Sequence, residues 1–183
     1  MALCTSLPVF SQFKLPGTKD FTSDIKAVIR DYPHNYEKMR GSVQSQSPQQ
    51  TDYESSLKIT GAESVTISRY SADNKEIYSW SAVMLTTEDF EVAKGKFKTL
   101  FARFNNMAVK MDYGVTFYLK GKYLEPIEER GFTSSLFRFE LPDRATRKMI
   151  LELSMQYEFP EWKVKILIYE RDREDVERGD VIE

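Results

Sequence analysis

Residues 76–85, Glu76-Ile77-Tyr78-Ser79-Trp80-Ser81-Ala82-Val83-Met84-Leu85, alternate with a period of two: Tyr78, Trp80, Ala82 and Met84 on one side, Ile77, Ser79, Ser81, Val83 and Leu85 on the other. Successive side chains of an extended backbone point to opposite faces, so this stretch is a strand with one apolar and one mixed face. Thr86-Thr87-Glu88-Asp89 follows at once and has the composition of a helix start, with a threonine to cap the first free amides and acids at the positive end of the dipole. The helix then presents Phe90, Ala93, Phe97, Leu100, Phe101 and Phe104 as one stripe, with Lys94, Lys96, Lys98 and Arg103 elsewhere, and Asn105-Asn106 ends it. A half-apolar strand feeding an amphipathic helix implies an α+β fold, in which helices cover one face of an antiparallel sheet.

The same alternation of patterns extends in both directions. Upstream, after a Pro16-Gly17 turn, Phe21, Ile25, Val28, Ile29 and Tyr32 recur at helical spacing. Thr18 or Thr22 can cap that helix, Pro33 stops it near Tyr32, and Tyr36 and Met39 add a last turn before Gly41. Ser42 to Thr51 is Ser/Gln-rich, holds Pro48 and reads as a solvated loop. Strands are expected at Tyr53 to Ile59 and at Val65 to Tyr70, with turn chemistry at Asp73-Asn74. Downstream, Val115, Phe117 and Leu119, then Phe137, Phe139 and Leu141, then Met149 to Tyr157, and finally Trp162, Val164, Ile166 and Ile168 all alternate.

The two halves resemble each other. A shift of the first helix places Ile25 on Phe97, Val28 on Leu100, Ile29 on Phe101 and Tyr32 on Phe104. Ser55-Ser56-Leu57 then meets Ser134-Ser135-Leu136, and Ser79 to Leu85 meets Glu161 to Leu167, which superposes Trp80 and Trp162, the chain's only tryptophans. The expected organisation is one α+β domain over 12–183. It holds two pseudo-repeats, 18–85 and 86–171, each a helix plus a three-stranded antiparallel meander, joined in one sheet with both helices on one face. A charged tail occupies 172–183. Extra material between Lys110 and Gly131 breaks the correspondence, and function is expected where the copies differ: there, and in the Ser/Gln-rich segment.

Composition narrows the classes of function. With 41% hydrophobic residues, 13% aromatics and a net charge of −2, the chain has the makings of a folded core and lacks the positive field that drives binding to nucleic acid. No run approaches the roughly 20 apolar residues of a membrane-spanning helix. Met1 to Ser11 is apolar, free of acids, and ends in Val9-Phe10-Ser11 before Gln12, as at a signal-peptidase site; residues 1–11 read as the tail of a signal peptide that begins upstream of Met1. The expected location is periplasmic or secreted, with a cytoplasmic protein as the alternative in which this stretch is a first strand or a frayed end. Cleavage would remove Cys4, and Leu3 before it is too large for lipoprotein processing.

No cluster of catalytic residues emerges, so no catalytic, cofactor-binding or metal residues are expected. His34, the one histidine, lacks a neighbouring nucleophile and follows Pro33 at a helix end, where a cation suits the dipole. One histidine without a mature cysteine makes no zinc site. Gly121-Lys122 lacks the spacing of a phosphate loop. Glu125, Glu128 and Glu129 around Pro126 are the acidic group that an enzyme would use, or else a charged surface turn. Trp80, Trp162, Tyr78 and Phe117 are core residues or the lining of an apolar groove.

Thr86-Thr87-Glu88-Asp89-Phe90-Glu91-Val92-Ala93-Lys94, together with Glu161-Trp162-Lys163-Val164-Lys165 and Asp175-Val176-Glu177-Arg178-Gly179, is similar to stretches of uncharacterised exported α+β proteins of Bacteroidota. That resemblance brings no activity with it. The order of elements also resembles the fold of type III secretion chaperones. The functional expectation is a non-catalytic exported binding or assembly protein for an unidentified protein, peptide or apolar ligand. The alternatives are a cytosolic chaperone-like homodimer and an enzyme built on carboxylates.

Overall fold

The computed structural model describes residues 20–72 and 75–171. The signal-like stretch, Cys4, the Asp73-Asn74 turn and the charged tail lie outside them.

Both helices start on an aspartate where threonines were expected. Asp20 Oδ1 accepts the Ser23 N–H at 3.0 Å ahead of α1 (Phe21–Asp31), and Asp89 Oδ1 accepts the Val92 N–H at 3.0 Å ahead of α2 (Phe90–Phe104). A carboxylate is an acceptor and also brings negative charge to the positive end of the dipole. Thr22 falls inside the first turn of α1, and Thr87 accepts the Asp89 N–H at 3.2 Å instead. Pro33 does end α1, which gives way to a 3-10 turn over Tyr32–His34. The chain then passes through Asn35 at φ 54° and Tyr36 at φ 56°, so the expected extra helical turn through Tyr36 and Met39 does not form.

Among the described residues, nine strands make one antiparallel sheet: β1 (Arg40–Gln46), β2 (Gln50–Ser55), β3 (Ser64–Ala72) and β4 (Lys75–Thr87) after α1, and β5 (Ala108–Lys110), β6 (Thr116–Gly121), β7 (Phe132–Phe139), β8 (Met149–Glu158) and β9 (Glu161–Glu170) after α2. Their order across the sheet is β1-β2-β3-β4-β9-β8-β7-β6-β5. Four strands follow one helix and five the other, where three per half were expected. The additions lie at the sheet's edges. The Ser/Gln-rich segment is not a loop but supplies β1, whose Val43 stands opposite Tyr53 and whose Gln46 stands opposite Thr51. Val43 is half exposed and Ser42, Gln44, Ser45 and Gln46 are solvated, so this edge strand carries no period-two pattern for a sequence reading to find. In turn, the strand expected through Ile59 ends at Ser55. Beyond it the chain is tied to α1 by Asp24, whose Oδ2 accepts the Thr60 N–H at 2.9 Å and the Thr60 hydroxyl at 2.7 Å.

At the centre, β4 and β9 run antiparallel with Trp80 opposite Ile168 and Ala82 opposite Ile166, up to a bulge between Val83 and Leu85. The inward face of this pair joins Leu151 and Leu153 of β8, Phe137 of β7, Ile25, Val28 and Ile29 of α1, and Phe97, Leu100 and Phe104 of α2 in one contiguous core. Phe21 and Phe104 link the helices, their ring centroids 5.7 Å apart. Both helices therefore cover the same face. The opposite face carries Ser79, Ser81, Leu167, Tyr169, Ile150, Glu152, Leu136, Arg138 and Lys120, and among the described residues no helix lies on it.

Candidate functional site

The open face is interrupted where β6 leaves β7. The ladder between them runs only from the Leu119–Phe139 pair to the Gly121–Phe137 pair. Gly121 allows this last contact: a Cβ on it would lie 2.5 Å from Cδ1 of the buried Phe137 ring. Two residues later Tyr123 turns toward α2, its ring centroid 5.0 Å from that of Phe101 and 6.2 Å from that of Phe97. The chain after Gly121 thus dips toward the helices and stands off β7, linked to it by the Leu124 N–H and Ser135 Oγ at 3.4 Å.

The separation leaves a cavity of about 600 Å³. Lys120 to Lys122 and Leu124 form one wall, and Ser134 to Leu136 with Arg138 form the other. That volume suits a small-molecule ligand, and Leu124 and Leu136 give it an apolar surface. Three cations and no carboxylate line it. The Lys120 ammonium donates to Asn106 Oδ1. Lys122 and Arg138 make no ion pair among the described residues.

Glu152, on the neighbouring strand, makes no ion pair with these cations. Glu152, opposite Leu136 on β8, accepts the Tyr169 hydroxyl at 2.9 Å. Burial first, and then the Glu152 charge, push the Tyr169 hydroxyl far above the usual tyrosine range. Further along the same face Lys163 and Lys165 are both matched, by Glu158 at 2.6 and 2.5 Å, and their hydrogen bonds hold its carboxyl below the usual range. Paired lysines at one end and unpaired cations at the other give the open face a polarity that an anionic group can recognise.

The residues singled out in the sequence fall elsewhere. Trp80, Trp162, Tyr78 and Phe117 are all buried in the core. Glu125 pairs with Lys94 at 2.8 Å, and this hydrogen bond lowers its carboxyl. Glu128 and Glu129 occupy an exposed 3-10 turn, Glu128–Arg130. Among the described residues no three His, Cys, Asp or Glu side chains gather as a metal site. His34 is exposed, with Nδ1 3.9 Å from Asp31 Oδ1. The Lys110–Gly131 segment does supply one wall of the groove. Its Lys120-Gly121-Lys122 run was the available signal, and it means charge beside a break in a ladder rather than a phosphate loop.

No protein-family model matches the chain, and neither the curated proteins nor the solved structures hold a match to it. Among the described residues, no helix is long and apolar enough to cross a membrane.

Proposed function

We propose that this chain is a non-catalytic binding protein that holds a ligand with an anionic head and an apolar body in the groove between β6 and β7. The observation that carries the reading is the unpaired Lys122 and Arg138 on the same cavity as Leu124 and Leu136. A guanidinium with its fork of donors suits a carboxylate or phosphate, the lysine adds a mobile point charge, and the two leucines exclude water from the body of the ligand.

Titration calorimetry with dodecanoate and with dodecyltrimethylammonium tests this. Dodecanoate binds and the cationic amphiphile does not, and the double variant Lys122→Gln/Arg138→Gln weakens dodecanoate about tenfold or more, the scale of one charge-assisted hydrogen bond. Equal affinity of the double variant, or no dodecanoate binding, overturns the reading.

Two broader proposals accompany it. Export rests on Met1 to Ser11 and is tested by N-terminal sequencing of the protein from its native source: a chain that keeps Met1 and stays in the cytoplasm rejects it. Duplication is supported by the matched order of elements and by the pairing of the two tryptophan-bearing strands, β4 and β9, at the sheet's centre. Its test is the sequences of relatives, in which the two halves should grow more alike toward the root of the tree.

A further inference from the structure

The groove between β6 and β7 exposes backbone as well as side chains. The Glu140 N–H donates to the Tyr118 carbonyl at 3.0 Å, and on the other side of β7 the Tyr157 N–H donates to the Gly131 carbonyl at 2.7 Å. Backbone groups of an antiparallel strand turn alternately to its two neighbours. Along β7, therefore, the odd-numbered residues bond to β8, while Ser134, Leu136 and Arg138 direct their N–H and C=O groups toward β6. Arg138 stands opposite Lys120, but the ladder stops one pair further on, at Gly121 and Phe137.

Had β6 continued in register, the Leu124 N–H would reach the Ser134 carbonyl. It goes instead to Ser135 Oγ at 3.4 Å, on the buried side of the sheet. Among the described residues, no backbone group bonds to the Leu136 N–H or to the Ser134 carbonyl, and both residues line the cavity. A donor and an acceptor so placed are what a parallel strand engages. The residue of that strand opposite Ser135 gives its N–H to the Ser134 carbonyl and takes the Leu136 N–H on its own carbonyl.

An added strand can enter only from the Phe132 end, because β6 itself occupies the place beside Phe137. It must stop there, with its terminus among Lys120, Lys122 and Arg138 and no carboxylate on the cavity wall. Three cations suit a terminal carboxylate and repel a terminal ammonium. The end that arrives first is thus a C-terminus, and the strand runs parallel to β7.

We propose that the ligand of this groove is the C-terminal end of a peptide chain, added to the free edge of β7. This rests on the groove's taking an anionic head and an apolar body, and it names their source. The penultimate residue pairs with Ser134 and Leu136, the last residue lays an apolar side chain on Leu124 and Leu136, and its carboxylate faces Lys122 and Arg138. A fatty acid has the same head and body but no amide for the strand edge.

The test titrates the protein, by NMR, with acetyl-Gly-Ser-Ala-Leu as the free acid, as its C-terminal amide, and as the depsipeptide in which lactate replaces the alanine and so removes its N–H. The free acid saturates with a Kd on the order of 0.1 mM and shifts the Leu136 amide signal downfield. The C-terminal amide binds at least about tenfold more weakly and the depsipeptide about fivefold, and Arg138→Gln, at an exposed position, weakens the free acid about tenfold. Dodecanoate displaces the peptide. Dodecanoate binding without peptide binding, or a depsipeptide as tight as the peptide, overturns the peptide assignment and leaves the amphiphile reading standing; failure of both ligands overturns both.

Discussion

The Tyr36 hydroxyl donates to the Ile168 carbonyl at 2.7 Å, so the turn after α1 is fastened to the central strand β9 from a residue held at φ 56°. The ring is fully buried, and burial raises the hydroxyl well above the ordinary tyrosine range, so it remains a donor at every pH of interest. Tyr36→Phe keeps the packing and removes the bond. It should destabilise the protein by about 1 kcal/mol, the net value of a hydrogen bond, because the Ile168 carbonyl lies in the middle of the sheet. Tyr36→Ala adds a cavity and should cost about 3–5 kcal/mol. Denaturant unfolding of the two variants measures both, and equal losses would mean that the hydroxyl alone holds the turn.

Gly121 and Phe137 set the geometry of the groove. A methyl group at Gly121 would meet Cδ1 of Phe137 at 2.5 Å, and that ring is itself wedged between Phe101 and Phe104, with centroids 5.1 and 5.5 Å away. Gly121→Ala should therefore cost about 1–3 kcal/mol through overpacking. It should also weaken dodecanoate binding, since the chain that forms one wall of the groove must move. Unchanged stability would show that β6 can lift from β7 without strain.

Gly95 is the opposite case. It lies inside α2 on an exposed position, and a Cβ built there meets nothing within 4 Å. Gly95→Ala should stabilise the protein by about 0.5–1 kcal/mol by removing backbone freedom from the unfolded chain. Thermal unfolding would register a rise in Tm, and a fall would point to a requirement for flexibility in this helix.

The parts of the fold that were legible in the sequence are those where one face is buried. Trp80, Ala82 and Met84 on β4, Leu151, Leu153 and Met155 on β8, and the Phe97, Leu100, Phe104 stripe all declared their period because the core selects it. Strand β1 did not, because an edge strand solvated on both sides has no apolar face to reveal it; only its partner β2 specifies it. The groove between β6 and β7 and the burial of Asp31 were hidden for a different reason. Lys122 and Arg138 are far apart in the chain and meet through the β6–β7 register, which no local pattern encodes. Asp31 looks like an ordinary polar residue at a helix end until Pro33 and the left-handed Asn35 and Tyr36 fold the chain over it.

Asp31 yields the last prediction, from the sign of its shift. Burial raises its carboxyl above the ordinary value of 3.8, outweighing the Lys38 N–H and the charges of Lys38 and His34. Between the unfolded value and the raised folded one, the native state binds more protons than the unfolded state. The stability this group contributes is therefore complete below pH 3.8 and is lost as the pH rises through the folded value. Asp31→Asn keeps an acceptor for the Lys38 N–H but carries no charge, so it escapes that loss. Its Tm relative to the wild type should climb as the pH is raised from about 3 to 7, and the neutral-pH variant should be at least as stable as the wild type. Carboxylates held below their usual range, such as Asp52 and Asp143, act in the opposite sense but equally in both proteins, so they cancel in the difference. His34 is replaced by Gln in both backgrounds, which removes the one imidazole that faces Asp31. A difference in Tm that stays flat with pH would mean that burial does not raise the Asp31 carboxyl.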